Sequence, residues 1–259
     1  MALQDVVPPV KPKLTLAEPL PSRTDRNGKA VRNLLLLSIP EEEFALLRPL
    51  LEPLDLPRYH LLYEQGRRIE HACFLNEGMV SLVVVAHDGR SVEVGITGRE
   101  GLVGLPLVFG YDEAPTRAIV QLPGSGLSVS AAALVQAFAQ CPHLYAHLQH
   151  YAFTQQMQVA QIAACNRLHD MEHRLARWLL MCQDTVDSSL LPLTHEFIAQ
   201  MLGTGRPTVT IAAGVLERAG LIENTRGSVK IVNRKRLEDA ACECYGAIQN
   251  FTGNRAMLS

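Results

Sequence analysis

This chain of 259 residues has no excess of positive charge, no long apolar run and no clustered cysteines. Its formal net charge is −2 and 19% of its residues are charged, so a nucleic-acid partner would have to be met by a local basic surface. No uninterrupted apolar run is long enough to cross a bilayer, and the opening stretch MALQDVVPPVKPKLTLAEPLPSRTDRNGK lacks the apolar core and small-residue cleavage site of a secretory leader. A cytoplasmic location is expected. Cys73, Cys141, Cys165, Cys182, Cys242 and Cys244 are scattered and suit reduced thiols better than a disulfide framework. A cupin-like metal enzyme would need a His-x-His pair with a nearby carboxylate, and His60, His71 and His87 form no such pair. Nor is there a phosphate loop or an activated nucleophile, so no enzyme is expected.

What is present is a chain with 47% hydrophobic residues, long enough for two domains. Residues 1–32 combine proline with polar residues and show no period, which predicts a disordered tail. SIPEEEFALLRPLLEP predicts a short helix, with Ser38 as a possible cap and glutamates in its first turn. From about residue 60 to 130, short β-type runs alternate with glycine turns, and Asp88-Gly89 reads as a hairpin, so residues 33–140 are expected to form a β-roll. In residues 141–169, Leu144, Leu148, Tyr151, Gln155, Gln158, Ile162 and Cys165 recur at alternating four- and three-residue spacing. That is a coiled-coil seam, which predicts a dimerisation helix through Leu144, Leu148, Tyr151, Gln155 and Ile162; a helix buried within one chain is the alternative.

Residues 170–245 carry the strongest local signals. Thr194 can cap a helix whose inner face is Phe197, Ile198, Met201 and Leu202, and Gly203 stops it. A second helix opens near Arg206, with Pro207 tolerated because first-turn N–H groups lack partners. Val209, Ala212, Ala213 and Leu216 pack on the first helix, leaving Arg206, Thr208, Thr210, Ile211 and Gly214 on the open face. GLIENTRGSVKIVNR then supplies a hairpin wing carrying Arg226 and Lys230. From Thr194 to Arg236 there are seven basic residues against three acidic ones. Helix-turn-helix, wing and local charge together predict binding to double-stranded DNA through Thr194, Arg206, Pro207, Thr208, Thr210, Ile211, Arg226 and Lys230. A helical hairpin that only packs, and a winged-helix module for protein partners, are the alternatives. CECY at 242–245 offers two thiols but no further ligands, so no metal site is expected there, and residues 246–259 are read as a tail.

The stretches LTHEFIAQMLGTGRPTVT, VLERAGLIENTRGSVKIVNRKRLEDAA, FLNEGMVSLVVVAHDGRSVEV and HRLARWLL resemble the Crp/Fnr family of bacterial regulators. The resemblance implies an α+β fold: an N-terminal cyclic-nucleotide-binding-like β-roll, a long dimerisation helix and a C-terminal winged helix-turn-helix. It also implies a homodimer on a pseudo-palindromic operator, an effector in the roll, and RNA polymerase as a further candidate partner. Cyclic-AMP binders of the family carry Gly-Glu in a phosphate-cradling loop and then an Arg-Ser pair. Here Gly104-Leu105 and Thr116-Arg117 stand nearest, and leucine cannot accept ribose hydrogen bonds, which argues against cyclic AMP. Oxygen sensors of the family hold an iron-sulfur cluster on N-terminal cysteines, whereas only Cys73 precedes Cys141 here. Haem through Cys73, His71 or His60 is the weaker remaining option. Cyclic-AMP receptor protein also has Glu and a second Arg where Pro207 and Ile211 stand, so a different operator is expected.

Overall fold

A computed structural model describes residues 20–252. Two short helices, α1 (Leu34–Ser38) and α2 (Glu41–Leu47), lead into the roll. Its strands are β1 (Glu52–Leu56), β2 (Leu61–Tyr63), β3 (His71–Val85), β4 (Ser91–Thr97), β5 (Leu102–Val103) and β6 (Arg117–Ser130). All pair antiparallel in the order β1-β6-β3-β4, with β2 added to β6 and β5 to β3. The register of β3 on β6 shifts between Leu75 and Val80, and these bulges bend two long strands into a roll. The short helix α3 (Ala131–Ala137) closes it and is capped by Ser130 Oγ, which accepts from Ala133 N at 3.3 Å.

The 27-residue helix α4 (Pro142–Leu168) follows. Its first turn is capped by a side chain from far away: Glu43 accepts from the backbone N–H groups of His143 and Leu144, both at 2.9 Å. Burial pushes the Glu43 carboxyl up, but these two backbone donors and the His143 ring outweigh it and hold it below the usual value.

The C-terminal unit contains α5 (Met171–Val186), β7 (Leu190–Leu191), α6 (His195–Met201), α7 (Arg206–Arg218), β8 (Ile222–Thr225), β9 (Ser228–Ile231), α8 (Arg234–Ala240) and α9 (Cys244–Thr252). A three-stranded sheet runs β7-β9-β8. Trp178, buried on α5, joins this unit to the roll by donating from Nε1 to Glu93 Oε1 on β4 at 2.8 Å. Ser81 on β3 donates to the other Glu93 oxygen at 2.6 Å. The two hydrophobic cores meet here, because Met79, Val83, Ile96 and Leu122 of the roll pack into the C-terminal core. Among the described residues no helix is long and apolar enough to cross a membrane.

Four expectations are corrected. The predicted tail of residues 1–32 is packed from residue 20 onward: Arg23 is 6% exposed, donates to the carbonyls of Leu36 and Ile39, pairs with Glu41 and lies over the Phe44 ring. Asn33 is buried as well, donating to Leu75 O and Gly101 O at 3.0 and 2.9 Å. Polar composition misled here because each buried polar group finds a backbone partner. Residues 246–252 of the predicted C-terminal tail belong to α9; residues 1–19 and 253–259 lie outside the described residues.

The third correction concerns α4. Leu144, Leu148 and Tyr151 are buried in the chain's own roll core, and Ile162 in the C-terminal core. Gln155 donates to Thr97 Oγ1 at 3.2 Å and to Tyr151 Oη at 3.3 Å. The Tyr151 ring lies against Gly101, where a Cβ would come within 2.1 Å of its hydroxyl. The predicted seam is therefore the inner face of α4. Ser38 likewise caps nothing: it ends α1 and donates back to Leu35 O, and Pro40 precedes α2.

Candidate nucleic-acid interface

The reading head is built on α6 and α7. Thr194 Oγ1 accepts from Phe197 N at 3.2 Å and starts α6, whose Phe197, Ile198, Ala199 and Met201 are buried. Gly203 then adopts φ +62°, a left-handed conformation that glycine takes without strain, and the chain turns into α7. On α7, Val209, Ala212, Ala213 and Leu216 face inward, each no more than 3% exposed. Arg206, Pro207, Thr208, Thr210 and Ile211 are all exposed, with Ile211 at 67%. Gly205 precedes the helix and offers no side-chain cap, so the first turn is left open to an outside acceptor. A Cβ on Gly214 would meet only Arg218 Nη1 at 3.4 Å, so no close backbone approach within the chain requires glycine there.

The wing is joined to α7 by a residue that sequence reading missed. The His195 ring lies between Thr210 Oγ1 on α7, at 3.1 Å from Nδ1, and Asn224 Oδ1 on β8, at 3.2 Å from Nε2. Glu217 on α7 accepts from Asn224 N at 2.8 Å, and that backbone donor holds its carboxyl below the usual range. Thr210 donates in turn to Arg206 O at 3.0 Å. Recognition helix and wing are thus one connected surface. A single histidine beside a capping threonine carries no spacing signal that could have revealed this.

The local charge is smaller than the residue count implies. Arg234 is bound to Asp184 at 2.6 Å and Glu238 at 3.0 Å, Lys235 lies 4.0 Å from Asp239, and Lys230 lies 3.5 Å from Glu223. Arg206, Arg218, Arg226 and Arg236 form no ion pair among the described residues, and all four are exposed. Arg206 opens the recognition helix, and Arg226 stands at the wing turn.

The effector candidates lie elsewhere, in a cavity of about 710 Å³ between the roll and α4. Gly104, Leu105 and Thr116 line it, and apolar groups such as Tyr63, Val84, Phe109 and Phe153 make up most of its wall. Arg117 does not line it; its Nε is held by Glu64 at 2.8 Å. Haem finds no support in the wall, which contains neither His nor Cys. Cys73 is buried in the roll core, where burial pushes its thiol up to about 12, and His60 and His71 are exposed. The expectation that Cys242 and Cys244 lack further ligands is also corrected, because Cys165 and His169 converge on them.

Residues 173–240 match the model of the Crp-like helix-turn-helix domain, and residues 53–141 match that of the cyclic nucleotide-binding domain. The chain belongs to the Crp/Fnr family. It is a transcription regulator with a helix-turn-helix DNA-binding unit, and members of the Crp/Fnr family are not enzymes. It is 26% identical over 200 residues to the global nitrogen regulator of Synechocystis, covering 73% of this chain and 87% of that protein. It is equally similar, at 26% over 200 residues, to the CRP-like cAMP-activated global transcriptional regulator of Mycobacterium tuberculosis, covering 74% and 89%. The fold is shared with FixK2 of Bradyrhizobium japonicum, with TM-score 0.64, 16% identity and coverage of 74% and 98%. It is shared too with CLP of Xanthomonas campestris, described as c-di-GMP responsive, with TM-score 0.63, 15% identity and coverage of 74% and 99%.

Membership in the Crp/Fnr family raises the question of a cyclic nucleotide, and the residues present do not fit one. A cyclic phosphate needs a cation facing it and a ribose needs an acceptor. The cavity wall offers acceptors in Thr116, Gln149, Gln155 and Gln156 but no charged side chain to face the phosphate, and Arg117, next to Thr116 in sequence, is engaged by Glu64.

Proposed function

We propose that this regulator acts in the cytoplasm as a homodimer on a pseudo-palindromic operator, and that its roll takes an effector other than cyclic AMP. The observation that carries the DNA reading is the exposed, uncapped first turn of α7 with Arg206 at its mouth, free of any ion pair among the described residues. An arginine so placed can bond bidentately to guanine O6 and N7, and Ile211 can contact a thymine methyl. Thr194, Thr208 and Thr210 are exposed for phosphate or base edges, Pro207 sets the helix entry, and Arg226 and Lys230 on the wing meet phosphate. Lys230 must trade Glu223 for that phosphate. In this reading residues 33–140 sense, α4 pairs and residues 170–245 read DNA.

Support for the dimer comes from the outer face of α4. No Asp, Glu, Lys or Arg occurs from Pro142 to Asn166. Phe153 is 60% exposed and Leu168 73%, and Ala160, Ala163 and Ala164 are exposed between them. A helix face facing only water normally carries charge. Packed on a second copy, this face would set two α7 helices one helical turn of DNA apart, about 34 Å. The apolar cavity favours a largely apolar effector of matching size.

The test is binding to duplex DNA by Arg206→Ala and Lys230→Ala. The first should lose base preference, whereas the second should weaken binding on all sequences and flatten the salt dependence. Unchanged operator binding by both variants would reject these site assignments.

A further inference from the structure

The hinge between α4 and α5 carries a group of side chains that DNA binding does not use. Cys165 lies in the last turn of α4, and His169 is the residue that caps that helix, its backbone N–H donating to Cys165 O at 3.2 Å. Cys242 lies in the link between α8 and α9, and Cys244 is the first residue of α9. Their four donor atoms all lie within 4.8 Å of one another. Cys165 Sγ is 3.4 Å from Cys242 Sγ, and Cys244 Sγ is 3.5 Å from His169 Nδ1.

We propose that Cys165, His169, Cys242 and Cys244 form a mononuclear, closed tetrahedral site for a divalent zinc-class cation that clamps the reading head to the end of α4. The edges agree with that geometry: zinc bonds of about 2.3 Å to sulfur and about 2.0 Å to nitrogen place neighbouring donors roughly 3.5–3.8 Å apart. A disulfide would need its sulfurs at about 2.0 Å. Three thiolates and one imidazole are a structural donor set, with no position left open for substrate. Binding is redox-neutral: as each metal–sulfur bond forms, the thiol yields its proton to solvent, and neutral His169 donates its Nδ1 lone pair.

The surroundings fit the same assignment. All three cysteines are buried and form a small cluster of their own, separate from the two large cores. His169 Nε2 lies 3.1 Å from Glu243 Oε1, the outer carboxylate that fixes an imidazole with its other nitrogen toward a metal. Gln161 Nε2 donates to Cys244 Sγ at 3.1 Å, which suits a thiolate. A divalent ion with three thiolates keeps one negative charge, and the charges of Arg174 and Arg177 both act on Cys165. The Nε atoms of these two arginines are buried without a hydrogen-bond partner.

The place of the site gives it a role. His169 ends α4 and Asp170 begins α5, so a metal bound there fixes the angle at which the C-terminal unit leaves the long helix and holds α9 along α4. That second step rests on the regulatory reading; the metal site itself does not.

The full chain, purified without an affinity tag that binds metal, tests both. Elemental analysis should find about one zinc per chain. Cobalt(II) added to metal-free protein should give the intense visible bands of a tetrahedral centre with thiolate charge transfer in the near ultraviolet. Cys242→Ser, Cys244→Ser and the milder His169→Ala should each lose that signature, and hydrogen exchange in α9 should rise on chelation in the wild type alone. Protein that neither contains nor takes up zinc or cobalt overturns the proposal, as does a Cys165–Cys242 disulfide or an iron and sulfide content showing a cluster. Metal binding with unchanged operator affinity after chelation would keep the site and reject its role at the hinge.

Discussion

Arg117 in the roll and Arg206 on α7 are two arginines that the sequence offers for phosphate, and their surroundings separate them. Arg117 is bound to Glu64 at 2.8 Å, half-buried, beside a cavity whose wall it does not reach. Arg206 stands exposed at the open start of a 13-residue helix and has no acidic partner among the described residues. An arginine already satisfied by a carboxylate gains little from a second anion, whereas an unpaired one at a positive helix end gains charge-assisted bonds. The lesson is that the same residue type is engaged within the chain in the sensing half and left open to an outside anion in the reading half.

The contrast can be broken most severely at α4, which serves both halves. Ala160→Glu, on the outer face and outside the cavity wall, should give a folded monomer whose operator affinity falls by on the order of 10² to 10⁴, the loss expected when two linked contacts become one. Sedimentation and DNA titration check this; a monomer that binds as tightly as the wild type would remove the dimer. Leu148→Ala, on the inner face, should instead cost about 2–5 kcal/mol of stability.

At the seam between the halves, burial pushes the Glu93 carboxyl from 4.5 up to about 7, against the pull of Ser81, Trp178 and Arg177. Because the folded value lies above the unfolded one, the proton stabilises the fold below pH 4.5, and that contribution is lost as pH rises through about 7. Glu93→Gln should therefore be more stable than wild type near about pH 8, by up to about 3 kcal/mol in denaturant titration, with the advantage shrinking toward about pH 5. An equal effect at both pH values would show that Glu93 is ionised throughout.

Smaller effects sharpen the contrast within each half. Arg206→Ala should cost about 1–3 kcal/mol of base discrimination per half-site, read by competition between operator and scrambled duplex. Lys230→Ala should reduce affinity on every sequence and lower the salt slope by about one, the signature of a single lost phosphate. The smallest effect should come from cyclic AMP in the roll: no shift in melting temperature and no change in DNA binding. A shift that vanished in Arg117→Ala would return the cavity to nucleotide.

Local chemistry made the reading head legible, and distance hid most of the rest. Gly203, Pro207 and the returning Val209, Ala212, Ala213 and Leu216 specify helix, turn and helix within a short window, and the structure places these four residues on the buried side. The heptad in α4 was just as visible, but a periodic stripe does not say whether its own chain or a second copy covers it. Leu144, Leu148 and Ile162 are covered from within, and the alternative face of alanine, glutamine and Phe153 gives a weak pattern. Arg23 falls in the stretch expected to be a disordered tail, and the carbonyls of Leu36 and Ile39 that bury it lie outside that stretch. His169 and Cys244 are 75 positions apart, beyond any spacing rule, and only folding brings them together.

The central claim, that paired α7 helices read DNA through Arg206, is tested most directly by selecting duplexes from a random pool with wild-type protein and with Arg206→Ala, then sequencing both. Wild type should enrich an inverted repeat with half-sites about 10 base pairs apart, and Arg206→Ala should keep the dyad but lose one guanine preference in each half. An unchanged motif in the variant, or a wild-type pool without a dyad, would contradict the account.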